Sequence, residues 1–418
     1  MIIENKVGYA YNDVTIVPST SSFVKSRSDI NPFTNNNRLP IFTAPMSTVV
    51  NCENFSMWED NKITPILPRN IDWKTRLEYI KNHKWVAVSL SEFERIEKDL
   101  DNFILAHDSK NPYYLCIDIA NGHMDHLLNA CFRVKYKYGD MVIIMTGNIA
   151  NPETIHLYEQ SLVDYVRVGI GGGAGCTTTS NVAIHYPQAS LLNDINKLIK
   201  YTNHHTKIIA DGGIRNFSDV NKALALGADY VMIGGLFASF LESAANVVSE
   251  YSNVKIEDGD LIIQNKIHSD DVSFLAKYHI QDTWGNYYSE IKKYVTVTKH
   301  ETDDYFYYSC NTRIPLWNNT FPEHLKRHLI KTHNIVKEFY GMSTKKAQEL
   351  IKSNSKKRTS EGTSKEYKVN YTMKQWVDNM EAYLRSCMSY CNCRTLEDFI
   401  GNQNLIVNST SEIAAVNK

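Results

Sequence analysis

The sequence lacks the features that mark a secreted or membrane-spanning chain. No run reaches the roughly 18 apolar residues that a membrane-spanning helix requires. Residues 1–17 contain no basic segment followed by a long apolar stretch, so we expect no secretory signal and a cytoplasmic location. Eight cysteines in 418 residues do not form a disulfide framework.

An excess of charge of either sign is also missing. Lys and Arg number 45 and Asp and Glu number 46, which gives a formal net charge of -1. This balance argues against nucleic acid or a membrane surface as a broad electrostatic partner. With 43% hydrophobic and 22% charged residues, the chain is expected to bury a large core. Its length suits two or three domains, or one large domain with insertions.

Three of the cysteines, Cys387, Cys391 and Cys393, lie close together. A zinc site is one interpretation, but no second pair with ligand spacing lies elsewhere in the chain. Small apolar residues of a helix are therefore the favoured interpretation.

Short β-type runs recur along the first part of the chain and alternate with segments of helical spacing. The runs are residues 41–44, 63–67, 85–89, 114–118, 142–146, 165–169, 207–211 and 230–234. Continuous Val, Ile and Tyr runs bounded by turn residues are typical of strands buried on both faces. Eight such units predict an α/β fold, a (β/α)8 TIM barrel.

The rhythm breaks after the eighth strand. We expect a helix at roughly 237–249, and then a stretch without barrel rhythm but with short β-like runs at 261–264 and 294–298. The predicted domains are a barrel over 1–250, an inserted subdomain over 251–335, and a segment over 336–418. That last segment would hold an active-site flap and a helical tail, with a helix at 373–387, and would complete the barrel.

Glycine pairs follow the last two predicted strands, where a barrel of this type usually binds phosphate. Gly212 and Gly213 follow strand seven, and Gly234 and Gly235 follow strand eight. Backbone N–H groups can approach an anion there, although the glycines could also only turn the chain. Asp211 ends strand seven, where its carboxylate would suit ribose hydroxyls or would cap the following helix.

Cys176 follows the glycine-rich stretch 171–175 and precedes three threonines. A thiol on such a loop at the mouth of a barrel is a candidate nucleophile, and the hydroxyls could move protons. A buried, inert thiol is the alternative that spacing alone leaves open.

These residues lie within motifs that resemble the IMP dehydrogenase/GMP reductase family, and GMP reductase in particular. The matching stretches are Tyr11-Asn12-Asp13-Val14, Lys25-Ser26-Arg27-Ser28, Ala44-Pro45-Met46, Asp118-Ile119-Ala120-Asn121-Gly122, Gly147-Asn148, Val168-Gly169-Ile170-Gly171, Cys176-Thr177-Thr178, Tyr186-Pro187-Gln188, Ala210-Asp211-Gly212-Gly213, Gly234-Gly235, Phe339-Tyr340-Gly341-Met342-Ser343 and Ser360-Glu361-Gly362. Each motif is short, but their order extends over more than 300 residues.

The resemblance implies a role for each matching residue. Cys176 would bond to carbon 2 of a purine nucleotide, and Thr178 with Glu361 would deliver a proton to the leaving ammonia. Substrate contacts would come from Asn148, Asp211, Gly212, Gly213, Gly234, Gly235, Tyr340, Met342, Ser343, Arg358, Ser360 and Gly362. Asp118 and Gly122 would lie beside the nicotinamide cofactor, NADPH, and the carbonyls of Gly171, Gly173 and Cys176 would form a potassium site.

The resemblance also separates the two activities of the family. IMP dehydrogenases carry an Arg-Tyr pair on the flap, and no such pair lies between Met342 and Met373. Reductive deamination of GMP, a step of purine salvage, is therefore the favoured function. IMP oxidation with NAD, or a catalytically weak nucleotide-binding or assembly protein, are the alternatives. A homotetramer is implied, and the partner of the insertion is unknown.

Four positions depart from the family pattern. Gly172 and Ala174 replace a proline and a serine of the loop, Thr179 replaces a basic residue, and Ser47 replaces an aspartate. The lost serine removes one expected phosphate contact. A deoxynucleotide or modified purine nucleotide therefore stays open as the substrate.

Overall fold

The computed structural model describes residues 7–107, 111–248, 254–257, 260–267, 295–301, 306–317, 321–332, 335–341, 344–351 and 362–409. In chain order the strands are β1 (Val14–Ile16), β2 (Ile41–Thr43), β3 (Val86–Val88), β4 (Tyr113–Ile117), β5 (Val142–Ile149), β6 (Tyr165–Val168), β7 (Lys207–Asp211), β8 (Tyr230–Ile233), β9 (Val254–Glu257), β10 (Asp260–Ile267), β11 (Val295–Glu301), β12 (Phe306–Pro315), β13 (Val336–Tyr340), β14 (Ser364–Lys368) and β15 (Leu405–Val407).

The α-helices alternate with the strands through the first part of the chain. They are α1 (Phe55–Asp60), α2 (Trp73–Lys81), α3 (Leu90–His107), α4 (Asp125–Tyr138), α5 (Thr154–Gln160), α6 (Thr178–Val182), α7 (Gln188–Ile199), α8 (Phe217–Ala225), α9 (Gly235–Ala238), α10 (Glu323–Thr332), α11 (Lys345–Leu350), α12 (Met373–Tyr390) and α13 (Leu396–Phe399). Among the described residues, no helix is both long enough and apolar enough to cross a bilayer.

The central sheet is parallel and curls into a barrel. Seven strands hydrogen-bond in the order β2-β8-β7-β6-β5-β4-β3. Two parallel bridges, Phe42 to Thr64 and Leu67 to Val86, insert residues 64–67 between β2 and β3. The eight predicted strand positions are therefore all present, and the (β/α)8 fold is confirmed.

Aromatic side chains fill the end of the barrel where the strands begin. The ring of Phe42 lies 5.6 Å from that of Trp85, 6.0 Å from that of Tyr165 and 5.2 Å from that of Tyr230. Rings of this size leave no room for a ligand at this end of the barrel. Any ligand site must therefore lie at the opposite mouth, where the strands end.

The expected helix at 237–249 is wrong. Helix α9 ends at Ala238, and residues 239–243 form turns whose carbonyls at Leu241 and Ser243 each accept a hydrogen bond of 2.8 Å from Nζ of Lys337. These carbonyls are thereby diverted from helical pairing. Helix α12 packs against α8, and its Trp376 stacks 5.2 Å from Phe217.

The chain between α9 and α12 builds a second layered unit. Strands β9 to β12 form an antiparallel sheet in the order β11-β12-β10-β9, in agreement with the two predicted β-like runs. Apolar residues from this sheet and from α10 form a separate core, whose members are Leu241, Leu261, Ile263, Ile314, Leu316, Phe321, Leu325, Leu329, Ile335 and Val369.

Strands β13 and β14 pair in antiparallel fashion, and together with Gly362 and Thr363, which precede β14, they form what we call the flap. Tyr340 pairs with Ser364 at one end. At the other end the N–H of Val369 donates to the carbonyl of Ile335 at 2.8 Å, and both side chains belong to the core of the insertion. The insertion therefore holds the base of the flap.

Candidate active site

The loop after β6 holds Cys176 at the barrel mouth. Gly171 adopts φ +81°, and a Cβ there would lie 2.0 Å from the hydroxyl oxygen of Thr179, so only glycine fits. The Cys176 thiol is partly exposed and donates to the Thr178 hydroxyl across 3.2 Å. The predicted nucleophile and its predicted proton-transfer partner are thus adjacent.

The flap crosses directly over this loop. Cys176 forms an antiparallel bridge with Gly362, and the N–H of Thr363 donates to the Gly175 carbonyl at 2.9 Å. The structure therefore brings Gly362 to the candidate nucleophile. Five other predicted residues lie outside the described residues: Met342, Ser343, Arg358, Ser360 and Glu361.

A network of charged side chains lies beside the loop at the ends of β4, β6 and β7. The Arg167 guanidinium contacts Asp118 at 2.9 Å and Asp211 at 2.9 Å. Arg69 reaches Asp118 at 3.8 Å from the preceding segment. Burial opposes the charge of Arg167, but the carboxylates of Asp211 and Asp118 outweigh it and hold the guanidinium pKa above its ordinary value.

Sequence reasoning missed both arginines of this network. Arg167 interrupts the otherwise apolar run of β6, and its side chain is only 9% exposed. Burying a charged residue in a strand costs free energy unless the charge is paired. The presence of Arg in this apolar run was therefore a signal that a carboxylate partner lies nearby. The network holds Asp118, which is predicted to lie beside the cofactor, and Asp211, which is predicted to contact the ribose.

Asp211 is held from two sides. Besides the contact with Arg167, its Oδ2 accepts a hydrogen bond of 2.7 Å from the Asn148 amide, which also donates to the Gly169 carbonyl at 2.8 Å. The alternative that Asp211 caps the next helix is wrong, because Asn216 caps α8 through the N–H of Asp219. Asn148 and Asp211 therefore lie together at the mouth.

Gly122 lies in the loop after β4, against the end of β5. Its N–H donates to the Asn148 carbonyl at 3.0 Å, and a Cβ there would lie 2.7 Å from that same oxygen. The close approach leaves no space for a side chain. The loop bearing Asp118 and Gly122 is thus fixed next to Asn148.

The predicted phosphate residues come together from three loops. Gly212 and Gly213 have φ of +93° and +79°, and a Cβ at Gly212 would lie 3.2 Å from the N atom of Gly173. A Cβ at Gly235 would lie 3.2 Å from the Cβ of Ala174.

Gly234 and Tyr340 are the remaining predicted phosphate residues. A Cβ at Gly234 would lie 2.9 Å from the Met46 sulfur. Tyr340 ends β13 and is buried, and the N atom of the next residue, Gly341, would lie 3.5 Å from a Cβ at Gly175. Gly212, Gly213 and Gly235 therefore border the loop that carries Cys176, Gly341 brings the end of β13 to the same loop, and Gly234 faces Met46 instead.

The predicted potassium oxygens have partners within the protein. The Gly171 carbonyl accepts from the Thr179 hydroxyl at 3.3 Å, and the Gly173 carbonyl accepts from the Cys176 N–H at 3.0 Å. A cation site needs several oxygens turned to one point, whereas these two turn to separate donors. Each of these carbonyl oxygens keeps a second lone pair, so the potassium site at Gly171, Gly173 and Cys176 stays a prediction, and we assign no step to the ion.

The cysteines near the C-terminus lie at the end of α12. Cys391 and Cys393 are buried and contribute to the main core, and the Cys393 thiol donates to the Cys391 carbonyl at 3.3 Å. Within the part of the chain that the structure describes, no group of three or more His, Cys, Asp or Glu side chains is arranged to hold a metal.

Comparison with known proteins adds to this geometry. Residues 8–270 match the family model described as "IMP dehydrogenase / GMP reductase domain". The GMP reductase of Staphylococcus epidermidis is 32% identical over 248 residues, which cover 57% of this chain and 74% of that protein. The GMP reductase of Staphylococcus aureus is 32% identical over 255 residues, with the same two shares.

Proposed function

Because the chain belongs to the IMP dehydrogenase/GMP reductase family, we propose that it is a purine nucleotide oxidoreductase that converts GMP to IMP with NADPH. One observation carries the proposal: the Cys176 thiol lies at the barrel mouth, 3.2 Å from Thr178 and bridged to the flap at Gly362. A nucleophile with a hydroxyl beside it and a strand above it suits a covalent step that is shielded from water.

The proposed reaction has two chemical stages at carbon 2 of the purine. The Cys176 sulfur forms a bond to carbon 2, and the carbon–nitrogen bond to the exocyclic amine breaks. The hydride would come from a reduced nicotinamide beside Asp118 and Gly122, and carbon 2 would receive it before the carbon–sulfur bond breaks. The balance is GMP, NADPH and two protons in, and IMP, ammonium and oxidised cofactor out.

The leaving amine needs a proton, because an amide anion is too poor a leaving group. Thr178 is within reach of the sulfur, and Glu361 precedes the flap residue that pairs with Cys176. We assign the proton to this pair, with Glu361 as its source and the Thr178 hydroxyl as the relay.

The remaining predicted residues would bind and orient the two substrates. Asp211 would accept the ribose hydroxyls, held in place by Arg167 and Asn148. The glycines after β7 and β8, with Tyr340, would hold the phosphate. Asn148, Met342, Ser343, Arg358, Ser360 and Gly362 would contact the nucleotide from the mouth and the flap, and Asp118 and Gly122 would border the nicotinamide. A cytoplasmic homotetramer completes the proposal.

The decisive experiment is a pair of absorbance assays on the full chain. With GMP and NADPH, we expect loss of nicotinamide absorbance together with one ammonia released for each cofactor oxidised. With IMP and NAD, we expect a much slower gain of absorbance. Faster reaction in the second assay would assign the protein to IMP oxidation, and no reaction in either, despite GMP binding, would make it a nucleotide-binding protein.

A further inference from the structure

The hydroxyl of Tyr367, a residue of the flap, lies close to Gly235, one of the four glycines that follow β7 and β8. A Cβ built on Gly235 would lie 3.4 Å from the Tyr367 Oη and 3.2 Å from the Cβ of Ala174. The space beside Gly235 is therefore bordered by one hydroxyl and one methyl group.

Tyr367 is the residue of β14 that turns inward. Ser364, Lys365, Glu366 and Lys368 are exposed, whereas Tyr367 is half-buried and packs 5.7 Å from the ring of Phe339 on the paired strand. Packing alone would be served by phenylalanine. Within the described part of the chain no hydrogen bond holds the hydroxyl, which is therefore left facing the glycines.

The electrostatic setting favours a donor that faces an anion. Burial raises the pKa of Tyr367, and the positive charge of Arg215 lowers it in part, so the phenol keeps its proton at neutral pH. Arg215 lies two residues after Gly213 in the chain and is exposed. A protonated hydroxyl thus borders Gly235, and the charge of Arg215 is close enough to act on that hydroxyl.

Ala174 explains why such a donor is needed. Its methyl group offers no hydrogen bond, although it lies in the loop nearest to Gly235. A phosphate seated among glycine N–H groups there would otherwise lack a side-chain hydroxyl. The Tyr367 hydroxyl is placed to supply one from the opposite side.

We propose that Tyr367 is a phosphate-binding residue, whose hydroxyl donates to the phosphate monoester of the nucleotide beside Gly235. The proposal rests on the proposed function only for the identity of the nucleotide. It adds that the flap selects phosphorylated ligands, because one of its own strands carries the phosphate contact.

The test measures equilibrium binding of three probes to the full chain by calorimetry: GMP, guanosine and ribose 5-phosphate. Tyr367→Phe should weaken GMP and ribose 5-phosphate by about 10- to 100-fold, the effect of one hydrogen bond to a charged group. Guanosine should bind both proteins alike. Tyr371→Phe is the matched control, since it removes a tyrosine hydroxyl four residues away, and should change none of the three.

A second variant tests whether residue 174 of the Cys176 loop and residue 367 of the flap lie next to the same phosphate group. Adding Ala174→Ser to Tyr367→Phe places a hydroxyl beside Gly235 from the other side and should restore most of the lost GMP affinity. Unchanged binding of both phosphorylated probes by Tyr367→Phe would overturn the proposal, as would an equal loss for guanosine. If the wild-type protein binds ribose 5-phosphate through Tyr367 but does not bind GMP, the proposed function fails and this proposal stands.

Discussion

Two of the clusters of buried charge among the described residues differ in character: one lies at the barrel mouth and the other where the insertion meets the barrel. At the mouth, Arg167 links Asp118 and Asp211, whose side chains are 17% and 14% exposed. At the junction, Glu242 and Lys326 pair at 3.1 Å with only 1% and 5% exposed. The first cluster is partly open to solvent, whereas the second is closed to it.

The hydrogen-bond partners at the junction are backbone groups of neighbouring helices and turns. Glu242 also accepts the N–H of Met373 at 2.9 Å, and the nearby Lys337 donates to Leu241 and Ser243. The junction cluster thus fastens α10, β13 and α12 to the end of α9. Charges at the mouth hold the two carboxylates that the proposed function assigns to the substrates, whereas charges at the junction hold the flap and the insertion in place.

The largest effect is expected at the mouth, from Cys176→Ala. Turnover of GMP with NADPH should be abolished while GMP affinity changes little, because the covalent step needs the sulfur and binding depends on ribose and phosphate contacts. Stopped-flow absorbance and calorimetry measure the two quantities. Cys52→Ala, which removes another partly exposed thiol, is the control and should keep full activity. Normal turnover by Cys176→Ala would exclude the covalent mechanism.

Glu361→Gln should give the next largest effect. Gln keeps the shape but cannot donate the proton, so GMP reduction should fall by about 10²- to 10⁴-fold. Hydride transfer from IMP to the oxidised cofactor does not use this proton and should suffer much less. Single-turnover kinetics of both steps provide the test. Equal losses in the two steps would assign Glu361 a positioning role instead.

The junction is expected to respond in stability. Glu242→Gln leaves the buried Lys326 without a charged partner and should lower the free energy of unfolding by about 3–5 kcal/mol. Denaturant unfolding followed by fluorescence measures this loss. Asp378→Asn breaks an exposed pair with Lys374 and should cost nothing measurable. If Glu242→Gln left the free energy of unfolding unchanged and instead reduced the turnover of the folded protein, the distinction between the two clusters would be wrong.

The smallest effect is a pH dependence at the junction. Burial lowers the pKa of Lys337 to about 7 from its ordinary value of 10.5. Between these values the unfolded chain binds a proton that the folded chain does not, so stability should rise with pH, by up to about 1.4 kcal/mol per pH unit. Lys337→Met should remove this contribution to the slope in unfolding curves at pH 7.5, 8.5 and 9.5. An identical slope in the variant would show that Lys337 stays charged when folded.

Most of the barrel could be predicted from the sequence because each strand is a continuous apolar run. The structure has β7 at the predicted residues 207–211, and β4 one residue earlier than predicted, at Tyr113–Ile117. The eighth helix was misplaced because the residues after β8 are apolar enough for a helix. The conformation of these residues depends on Lys337, which donates to the carbonyls of Leu241 and Ser243. Lys337 is so far along the chain that the sequence around residues 237–249 gives no sign of these contacts.

The candidate site was predictable only where its residues form motifs. Cys176 and Thr178 are neighbours in sequence and also in the structure. Arg167 is 49 residues from Asp118 and 44 from Asp211, so only closure of the barrel brings them together. Tyr367 was missed for the same reason, since its role depends on how the flap pairs and not on its neighbours in the chain.

The bridge between Phe240 and Tyr371 has a consequence for the order of folding. Because the chain leaves the barrel and returns to it at one point, the cost of closing the loop depends only weakly on how long the excursion between these residues is; each doubling of its length adds about 0.6 kcal/mol. The barrel can therefore condense before the excursion is ordered. Tyr340, Gly362 and Tyr367 all belong to that excursion, so in a newly made chain the loop of Cys176 should form before the flap that covers it.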